Sequence, residues 1–226
     1  MCECADVLVC VSYAEQKKLE KLYPQHSHKI KVVHNGISYD GTPKLNENYK
    51  KSRKIFGYIG RTDYRKGILE CVKAIKHMDA ELHIACPKND CAYLEKILMY
   101  VEAANMQDRV KFYGWCVGER KNSFLQSLDA LIIPSLYEPF GYVALEGMQY
   151  GLPIISSNNG GLDEILEGYK YKYNPYSENG LTDTIVEFQK DSDDLIHRQQ
   201  EILLKNLTRF HARDMAAKYE EIWGLL

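Results

Sequence analysis

Short apolar segments alternate with longer amphipathic segments from residue 54 to the C-terminus. The apolar segments predict six strands, at residues 54–59, 80–85, 110–113, 128–134, 153–156 and 169–173. The amphipathic segments predict helices at residues 67–77, 92–104, 121–126, 141–150, 162–166 and 181–188, and two more within 194–225. Strands and helices that alternate in this way form a parallel sheet with helices on both faces. The alternation therefore predicts an α/β, Rossmann-like fold.

The first 53 residues have a different organisation. Residues 6–12 and 29–33 predict strands, and residues 14–22 predict a helix between them. Residues 41–53 are polar and contain the glycine, proline, asparagine and lysine residues that are typical of a linker. We therefore expect three parts, at residues 1–40, 41–53 and 54–226.

A pair of glutamates, Glu138 and Glu146, flanks the turn Pro139-Phe140-Gly141 just after the predicted strand at 128–134. Open α/β sheets bind ligands at the carboxyl ends of their strands. Pro139 suits a first helical position, in the turn that opens the helical segment predicted at 141–150. Gly141 would let a ligand approach the backbone, and the free N–H groups of the helix would bind an anion.

The spacing of this acidic pair limits its chemistry. Eight steps along a helix separate the two carboxylates by roughly 12 Å. The paired carboxylates of glycosidases lie only about 5 to 9.5 Å apart. The longer distance suits a sugar joined through a diphosphate to a ribose, with one acid at each end. An amphipathic helix with two solvated glutamates explains the spacing when the pair is considered alone.

Several motifs in a fixed order accompany the acidic pair. They are residues 57–61 (Gly-Tyr-Ile-Gly-Arg), 66–67 (Lys-Gly), 110–114 (Val-Lys-Phe-Tyr-Gly), 130–135 (Ala-Leu-Ile-Ile-Pro-Ser), 138–148 (Glu-Pro-Phe-Gly-Tyr-Val-Ala-Leu-Glu-Gly-Met), 151–155 (Gly-Leu-Pro-Ile-Ile) and 160–165 (Gly-Gly-Leu-Asp-Glu-Ile). Together they resemble the C-terminal, nucleotide-sugar-binding domain of family 4 of the retaining GT-B glycosyltransferases. The resemblance covers roughly residues 53 to 223, and the ordered set is more specific than any single motif.

The resemblance implies roles for the charged residues. Arg61 and Lys66 would bind the diphosphate and stabilise the charge that grows on the leaving group. Glu138 would lie close to the transferred sugar, and Glu146 would accept the ribose hydroxyls. Two alternatives stay open. Arg61 and Lys66 could be ordinary surface charges of a loop, since Arg65 beside them is equally charged. Glu138 could be an acid that only stabilises a helix dipole.

Other residues would line the same site. The resemblance implies that Gly60 and the backbone N–H groups of Phe140, Gly141 and Tyr142 contact the phosphate and sugar oxygens. Gly114 and Trp115 follow a predicted strand where the family frames the nucleotide base. Trp115 would stack on the base or belong to the core or to a partner surface. The pair at 160–161 would let a loop pass close to the ligand or form a tight turn.

The implied reaction moves a hexose from a nucleoside diphosphate, for which UDP is expected, to an acceptor hydroxyl with retained configuration. The acceptor would be a glycan, a lipid or a protein, and neither a metal nor another cofactor is expected. The resemblance also implies that residues 1–40 are a remnant of the N-terminal GT-B domain. The alternative is a catalytically silent nucleotide-sugar-binding module that needs a separate N-terminal half.

Composition argues against several other classes. A net charge of −2 is unlike that of a nucleic-acid-binding protein. No apolar run approaches the ~20 residues of a membrane span. Seven irregularly spaced cysteines fit a reducing cytoplasm, and the basic run at 50–54 suits a linker or contact with an anionic membrane. A dehydrogenase is disfavoured because no G-x-G-x-x-G sequence follows a strand.

Two short patterns imitate metal sites. Cys2-x-Cys4 and Cys86-x4-Cys91 lack the pairing and the neighbouring histidines of zinc sites. Asp191-Ser192-Asp193 is a D-x-D sequence, which binds metals in another glycosyltransferase fold. It lies far from the other motifs, and we expect it to be a solvated charge cluster.

Overall fold

The computed structural model describes residues 3–39, 54–87 and 91–224. Within these ranges the strands are β1 (Leu8–Cys10), β2 (Ile30–Val32), β3 (Lys54–Ile59), β4 (Ala80–Ala85), β5 (Val110–Phe112), β6 (Ala130–Ile133), β7 (Ile154–Ser157) and β8 (Lys172–Tyr173). The α-helices are α1 (Tyr13–Leu22), α2 (Ile68–Ile75), α3 (Cys91–Ala103), α4 (Glu119–Gln126), α5 (Tyr142–Gln149), α6 (Gly161–Ile165), α7 (Gly180–Lys190), α8 (Asp193–Leu207) and α9 (Ala212–Trp223). Short 3₁₀ helices cover Pro24–Lys29 and Tyr64–Lys66.

Strands β3 to β8 form one sheet in the order β5-β4-β3-β6-β7-β8, and all neighbours are parallel. The chain runs outward from β3 to β5, then returns to the other side of β3 for the remaining strands. Sheets with this order bind ligands outside the carboxyl ends of the strands where the order reverses, here β3 and β6. The predicted α/β fold with a parallel sheet is confirmed.

Burial of the sheet on both faces explains its apolar strands. Leu82 and Ile84 of β4 are fully buried, as are Leu131 and Ile154 of the two strands that follow the reversal. Helix α2 is buried along most of its length, because it packs against both β4 and α7. Parallel sheets covered by helices need such continuous apolar runs.

The observed bounds agree with the predicted ones for β3 and β4 but not for β8. The sequence predicted a strand at 169–173, whereas β8 begins at Lys172. Tyr169 lies in the turn that follows α6, and its buried hydroxyl accepts a hydrogen bond from the Ile154 N–H at 2.9 Å. A buried tyrosine gives the same sequence pattern in a strand as in a turn that is hydrogen-bonded to the sheet. The sequence alone therefore could not exclude Tyr169 from the strand.

Residues 3–39 form a small α/β unit beside the C-terminal helices. Strands β1 and β2 pair in parallel, and α1 lies between them in the chain. Ile37 joins this unit to the turn between α8 and α9. Its N–H donates to the Phe210 carbonyl at 3.0 Å, and its carbonyl accepts from the Ala212 N–H at 3.1 Å. The predicted linker at 41–53 lies outside the described residues.

The D-x-D sequence at 191–193 has a packing role. Asp191 accepts hydrogen bonds from the Lys170 ammonium at 2.6 Å and the Tyr171 hydroxyl at 2.9 Å. Ser192 caps α8 by accepting from the Leu195 N–H at 3.3 Å. The prediction of a solvated charge cluster is therefore wrong for Asp191, because it satisfies the hydroxyl of a buried tyrosine.

Gly67 allows the loop after β3 to lie close to the end of β6. Gly67 has φ +71°, and a Cβ there would lie 2.4 Å from the Pro134 carbonyl oxygen. A side chain would therefore be strained by the backbone and would also push the two loops apart.

We expect Gly67→Ala to destabilise the protein by more than Gly168→Ala. Gly168 has the same φ of +71°, but a Cβ there would meet nothing within 4 Å. The control should lose about 1–2 kcal/mol from the left-handed backbone alone, and Gly67→Ala roughly 1–3 kcal/mol more from the contact with Pro134. Urea unfolding of both variants measures the difference. Equal losses would mean that the loop moves away freely.

Candidate active site

Two loops meet at the reversal of strand order. One follows β3 and ends at Lys66, and the other follows β6 and carries Glu138. The Leu136 N–H donates to the Arg65 carbonyl at 2.8 Å, which joins the two loops through their backbones. Lys66 and Glu138, 72 positions apart in the sequence, form an ion pair, and the Ser135 hydroxyl lies 3.4 Å from the same carboxylate oxygen. The structure thus brings together two of the predicted site residues.

The structure distinguishes Arg61 from Arg65. The Arg65 guanidinium makes two contacts with Asp63, at 2.6 and 3.1 Å. This hydrogen bonding lowers the pKa of Asp63 to about 2. Arg61 is exposed, and no residue that the structure describes forms an ion pair with it. The resemblance assigned Arg61 rather than Arg65 to the phosphates, and the local pairing favours the same choice.

Tyr58 supports the loop that carries Arg61. Its buried hydroxyl donates to the Arg61 carbonyl at 2.8 Å. Burial raises the pKa of Tyr58 well above its usual value, so the hydroxyl keeps its proton. A Cβ at Gly60 would lie 2.7 Å from this hydroxyl. Gly60 therefore makes room for the tyrosine, a role that sequence reasoning missed because Tyr58 reads as an ordinary strand residue.

Two glycines support the loop that carries Glu138. The Gly161 N–H donates to the Glu138 carbonyl at 2.8 Å, and a Cβ at Gly160 would lie 2.1 Å from that carbonyl oxygen. The Asn159 amide donates to the Leu136 carbonyl at 2.5 Å. The glycine pair therefore allows close contact between its own loop and the loop that carries Glu138.

The predicted helix at 141–150 is confirmed as α5, but the interpretation of Pro139 as a first helical residue is wrong. Helix α5 begins at Tyr142, with Gly141 as its N-cap at φ +119°. This φ is incompatible with a right-handed helix, so Pro139 stays outside the helix and the helical estimate of ~12 Å between the acids does not apply. Among the described residues no acceptor receives a hydrogen bond from the N–H groups of Phe140, Gly141 or Tyr142. These three donors remain available at the helix start.

Glu146 lies on α5 beyond this turn and has a partner that sequence reasoning missed. The Lys121 ammonium of α4 contacts a Glu146 carboxylate oxygen at 2.8 Å. Beside this pair, the Tyr150 hydroxyl donates to the Asn122 side-chain oxygen at 2.6 Å. Both contacts join α4 to α5. No motif marks Lys121, because its partner is distant in the sequence.

The predicted base-binding loop follows β5. Gly114 has φ +70°, and a Cβ there would meet nothing within 4 Å. Trp115 is 48% exposed, whereas Cys116 behind it is buried. The interpretation of Trp115 as a core residue is therefore wrong, and its ring is accessible on the surface.

The N-terminal unit contacts the loop that carries Glu138. The Lys18 ammonium of α1 lies 3.2 Å from the centre of the Tyr137 ring. Glu164 of α6 accepts hydrogen bonds from the N–H groups of Tyr13 and Ala14, at 3.0 and 2.7 Å, and contacts the His34 ring at 3.0 Å. A carboxylate from the larger unit thus caps the first turn of α1.

The chain therefore has a doubly wound α/β sheet with cations and acids at its switch point, the place where such sheets bind ligands. The profile of the family described as glycosyl transferases group 1 matches residues 43–209, and the chain belongs to this family. A glycosyltransferase from Methanocaldococcus jannaschii is 31% identical over 175 residues, which are 71% of this chain and 44% of that protein. The chain thus spans less than half of this relative's length.

Solved structures show the same fold. Sucrose-phosphate synthase from Thermosynechococcus elongatus has a TM-score of 0.85 at 24% identity, over 98% of this chain and 58% of that one. Anabaena HepE in complex with UDP-glucose has a TM-score of 0.82 at 19% identity, over 98% of this chain and 64% of that one. These likenesses confirm the expected half of a GT-B fold.

The described residues contain neither a candidate membrane span nor a candidate metal-binding cluster. No helix in this part of the chain is long and apolar enough to cross a membrane. Across residues 3–39, 54–87 and 91–224, no group of three or more histidine, cysteine, aspartate or glutamate side chains is arranged to hold a metal ion.

We expect Glu164→Gln to loosen the N-terminal unit. The amide has one acceptor oxygen and no charge, so at least one N–H group of α1 loses its partner, at a loss of about 1–2 kcal/mol. Urea unfolding and the rate of tryptic cleavage within α1 measure the effect. Glu167→Gln is the matched control, since Glu167 is 69% exposed and, among the residues that the structure describes, its side chain pairs only with Arg209. Equal behaviour of the two variants would contradict the capping role.

Proposed function

We propose that this chain is the donor-binding part of a retaining glycosyltransferase of family 4, which transfers a hexose from a nucleoside diphosphate to an acceptor hydroxyl. The observation that carries the proposal is the meeting of Lys66 and Glu138 at the reversal of strand order, with Arg61 on the same loop as Lys66. Membership of glycosyl transferases group 1 supports the reaction class. The likeness to a protein that binds UDP-glucose supports a UDP-hexose donor.

The diphosphate would bind between the two loops. Arg61 offers a planar guanidinium and Lys66 an ammonium, and both form strong charge-assisted hydrogen bonds with phosphate oxygens. The free N–H groups of Phe140, Gly141 and Tyr142 add neutral donors at the start of α5. The ion pair with Glu138 would keep the Lys66 ammonium close to the proposed position of the phosphates.

Glu138 would then accept hydrogen bonds from hydroxyls of the hexose. Its loop is held by Gly160 and Gly161, so the carboxylate is positioned before the donor binds. At the other end of the donor, Glu146 would accept the ribose hydroxyls, and Gly114 and Trp115 would frame the base. Gly60 contributes indirectly, because its lack of a side chain lets Tyr58 hold the Arg61 turn.

The mechanism that we propose retains the anomeric configuration through attack on the same face as the departing diphosphate. The bond from the anomeric carbon to the diphosphate breaks while the acceptor oxygen approaches through an oxocarbenium-like state. The diphosphate oxygen takes the acceptor's proton, and Arg61 and Lys66 stabilise the charge that remains on the leaving group. Glu138 is paired with Lys66, which suits an electrostatic role better than that of a covalent nucleophile.

The acceptor, a glycan, a lipid or a protein, would be bound by an N-terminal GT-B domain. The contacts of α1 with Tyr137 and Glu164 support residues 3–39 as the edge of such a domain. The chain covers less than half of its archaeal relative. We therefore expect turnover to require the remaining half, in the same polypeptide or in another.

Calorimetric titration with UDP, GDP and ADP tests the donor site. We expect one nucleotide to bind, with UDP favoured, and Arg61→Ala and Glu146→Ala each to weaken binding by about 10- to 100-fold, the effect of losing a charged hydrogen bond. Arg65→Ala is the matched control, because its guanidinium is occupied by Asp63. Failure of all three nucleotides to bind, or an equal loss in Arg65→Ala, would contradict the proposed site.

Binding should not depend on a divalent metal. The site that we propose neutralises the diphosphate with Arg61, Lys66 and backbone donors, so the affinity measured in excess EDTA should equal that measured with Mg²⁺ present. A loss of binding in EDTA that Mg²⁺ or Mn²⁺ restores would mean that a metal completes the site.

A further inference from the structure

Lys121 forms the closest contact of the proposed ribose-binding acid. Its ammonium lies 2.8 Å from Oε1 of Glu146, and the two side chains are 31% and 26% exposed. The hydrogen bond from Tyr150 to Asn122, at 2.6 Å, fixes the next residue of α4 against α5. The lysine therefore approaches the carboxylate from a helix that is itself anchored, rather than from a free loop.

The contact leaves the carboxylate able to bind a diol. An ionised carboxylate has about four acceptor positions, and Lys121 occupies one of them on Oε1. Among the described residues nothing donates to Oε2 of Glu146. Two neighbouring hydroxyls could thus donate to the two oxygens while the lysine holds the group in place. A preformed acceptor loses less conformational freedom when its ligand binds.

Helix α4 also begins shortly after the loop with Gly114 and Trp115. One continuous segment thus carries both the loop that would frame the base and the lysine that holds the ribose acid. A change in this segment would therefore affect the contacts with the base and with the ribose together.

We propose that Lys121 is a positioning residue that holds the Glu146 carboxylate for the two ribose hydroxyls of the donor nucleotide. This inference rests on the proposed function, since it assumes that Glu146 binds the ribose. The alternative explanation is an ordinary ion pair between two helices, which contributes little to stability in a partly exposed position. The two explanations differ in whether the effect of Lys121 depends on the ligand's hydroxyls and on Glu146.

The test is calorimetric titration of the 226-residue chain with whichever of UDP, GDP and ADP binds most tightly, and with its 2′-deoxy form. The variants are Lys121→Met, Lys121→Arg, Glu146→Gln and the double variant Lys121→Met/Glu146→Gln. Lys73→Met is the matched control. It removes the same charge from an ion pair within helix α2, with Glu70 at 4.0 Å. Urea unfolding of each variant verifies that it is folded.

We expect Lys121→Met to weaken binding of the ribonucleotide roughly tenfold, the effect of about one charge-assisted hydrogen bond. The 2′-deoxy form should lose clearly less, and Lys121→Arg should recover most of the affinity. In the Glu146→Gln background Lys121→Met should change little, because the two side chains act as one unit. Lys73→Met should bind like the wild type.

Other results would overturn the inference. If Lys121→Met binds like the wild type, tightens binding, or weakens both nucleotide forms equally, the lysine does not act through the ribose. The same conclusion follows if its effect persists undiminished without the Glu146 carboxylate. Loss of affinity in Glu146→Gln together with no effect of Lys121→Met would overturn this inference alone. A wild-type chain that binds no nucleotide would overturn the proposed function as well.

Discussion

The parallel pairing of β3 with β6 is the constraint on which the candidate site depends. The register places Phe56 opposite Ala130 and Gly57 opposite Leu131. Leu128 covers this junction so closely that a Cβ at Gly57 would lie 2.1 Å from it. Because the two strands run in the same direction, the loops that follow them leave from the same edge of the sheet and must meet there.

Each acid of the site is held by a lysine from a different element. Lys66, after β3, pairs with Glu138, and Lys121, on α4, pairs with Glu146. An ammonium beside a partly buried carboxylate offsets part of the desolvation that burial imposes on both charges. The same pairs fix the directions of the carboxylates, so the charges of the site are arranged before a ligand is present.

The N-terminal unit also contacts the loop that carries Glu138. Lys18 lies on Tyr137, and the aromatic ring of His34 packs near Phe140, with the ring centres 6.3 Å apart. Phe210, in the turn before α9, lies 5.8 Å from Phe140 by the same measure. A movement of residues 3–39 would therefore change the contacts of Tyr137 and Phe140, which lie close to Glu138 in the sequence. Through these contacts the N-terminal unit and the larger unit are physically coupled.

The sequence by itself determined the class of fold, because burial on both faces requires apolar strands that alternate with amphipathic helices. It also indicated Arg61, Lys66, Glu138 and Glu146 through an ordered set of motifs, although their roles remain predictions. Local pattern failed at Pro139, where a favourable first helical residue was overruled by the left-handed backbone of Gly141.

Only the tertiary structure decided which charges meet. It paired Arg65 with Asp63, joined Lys66 to Glu138 across 72 positions, and brought Lys121 to Glu146. The roles of Tyr58, Gly160 and Gly161 as supports of the two loops likewise became visible only in three dimensions. Periodicity reports which face of an element is buried, but a contact between distant residues depends on the order and register of strands, which no local pattern encodes.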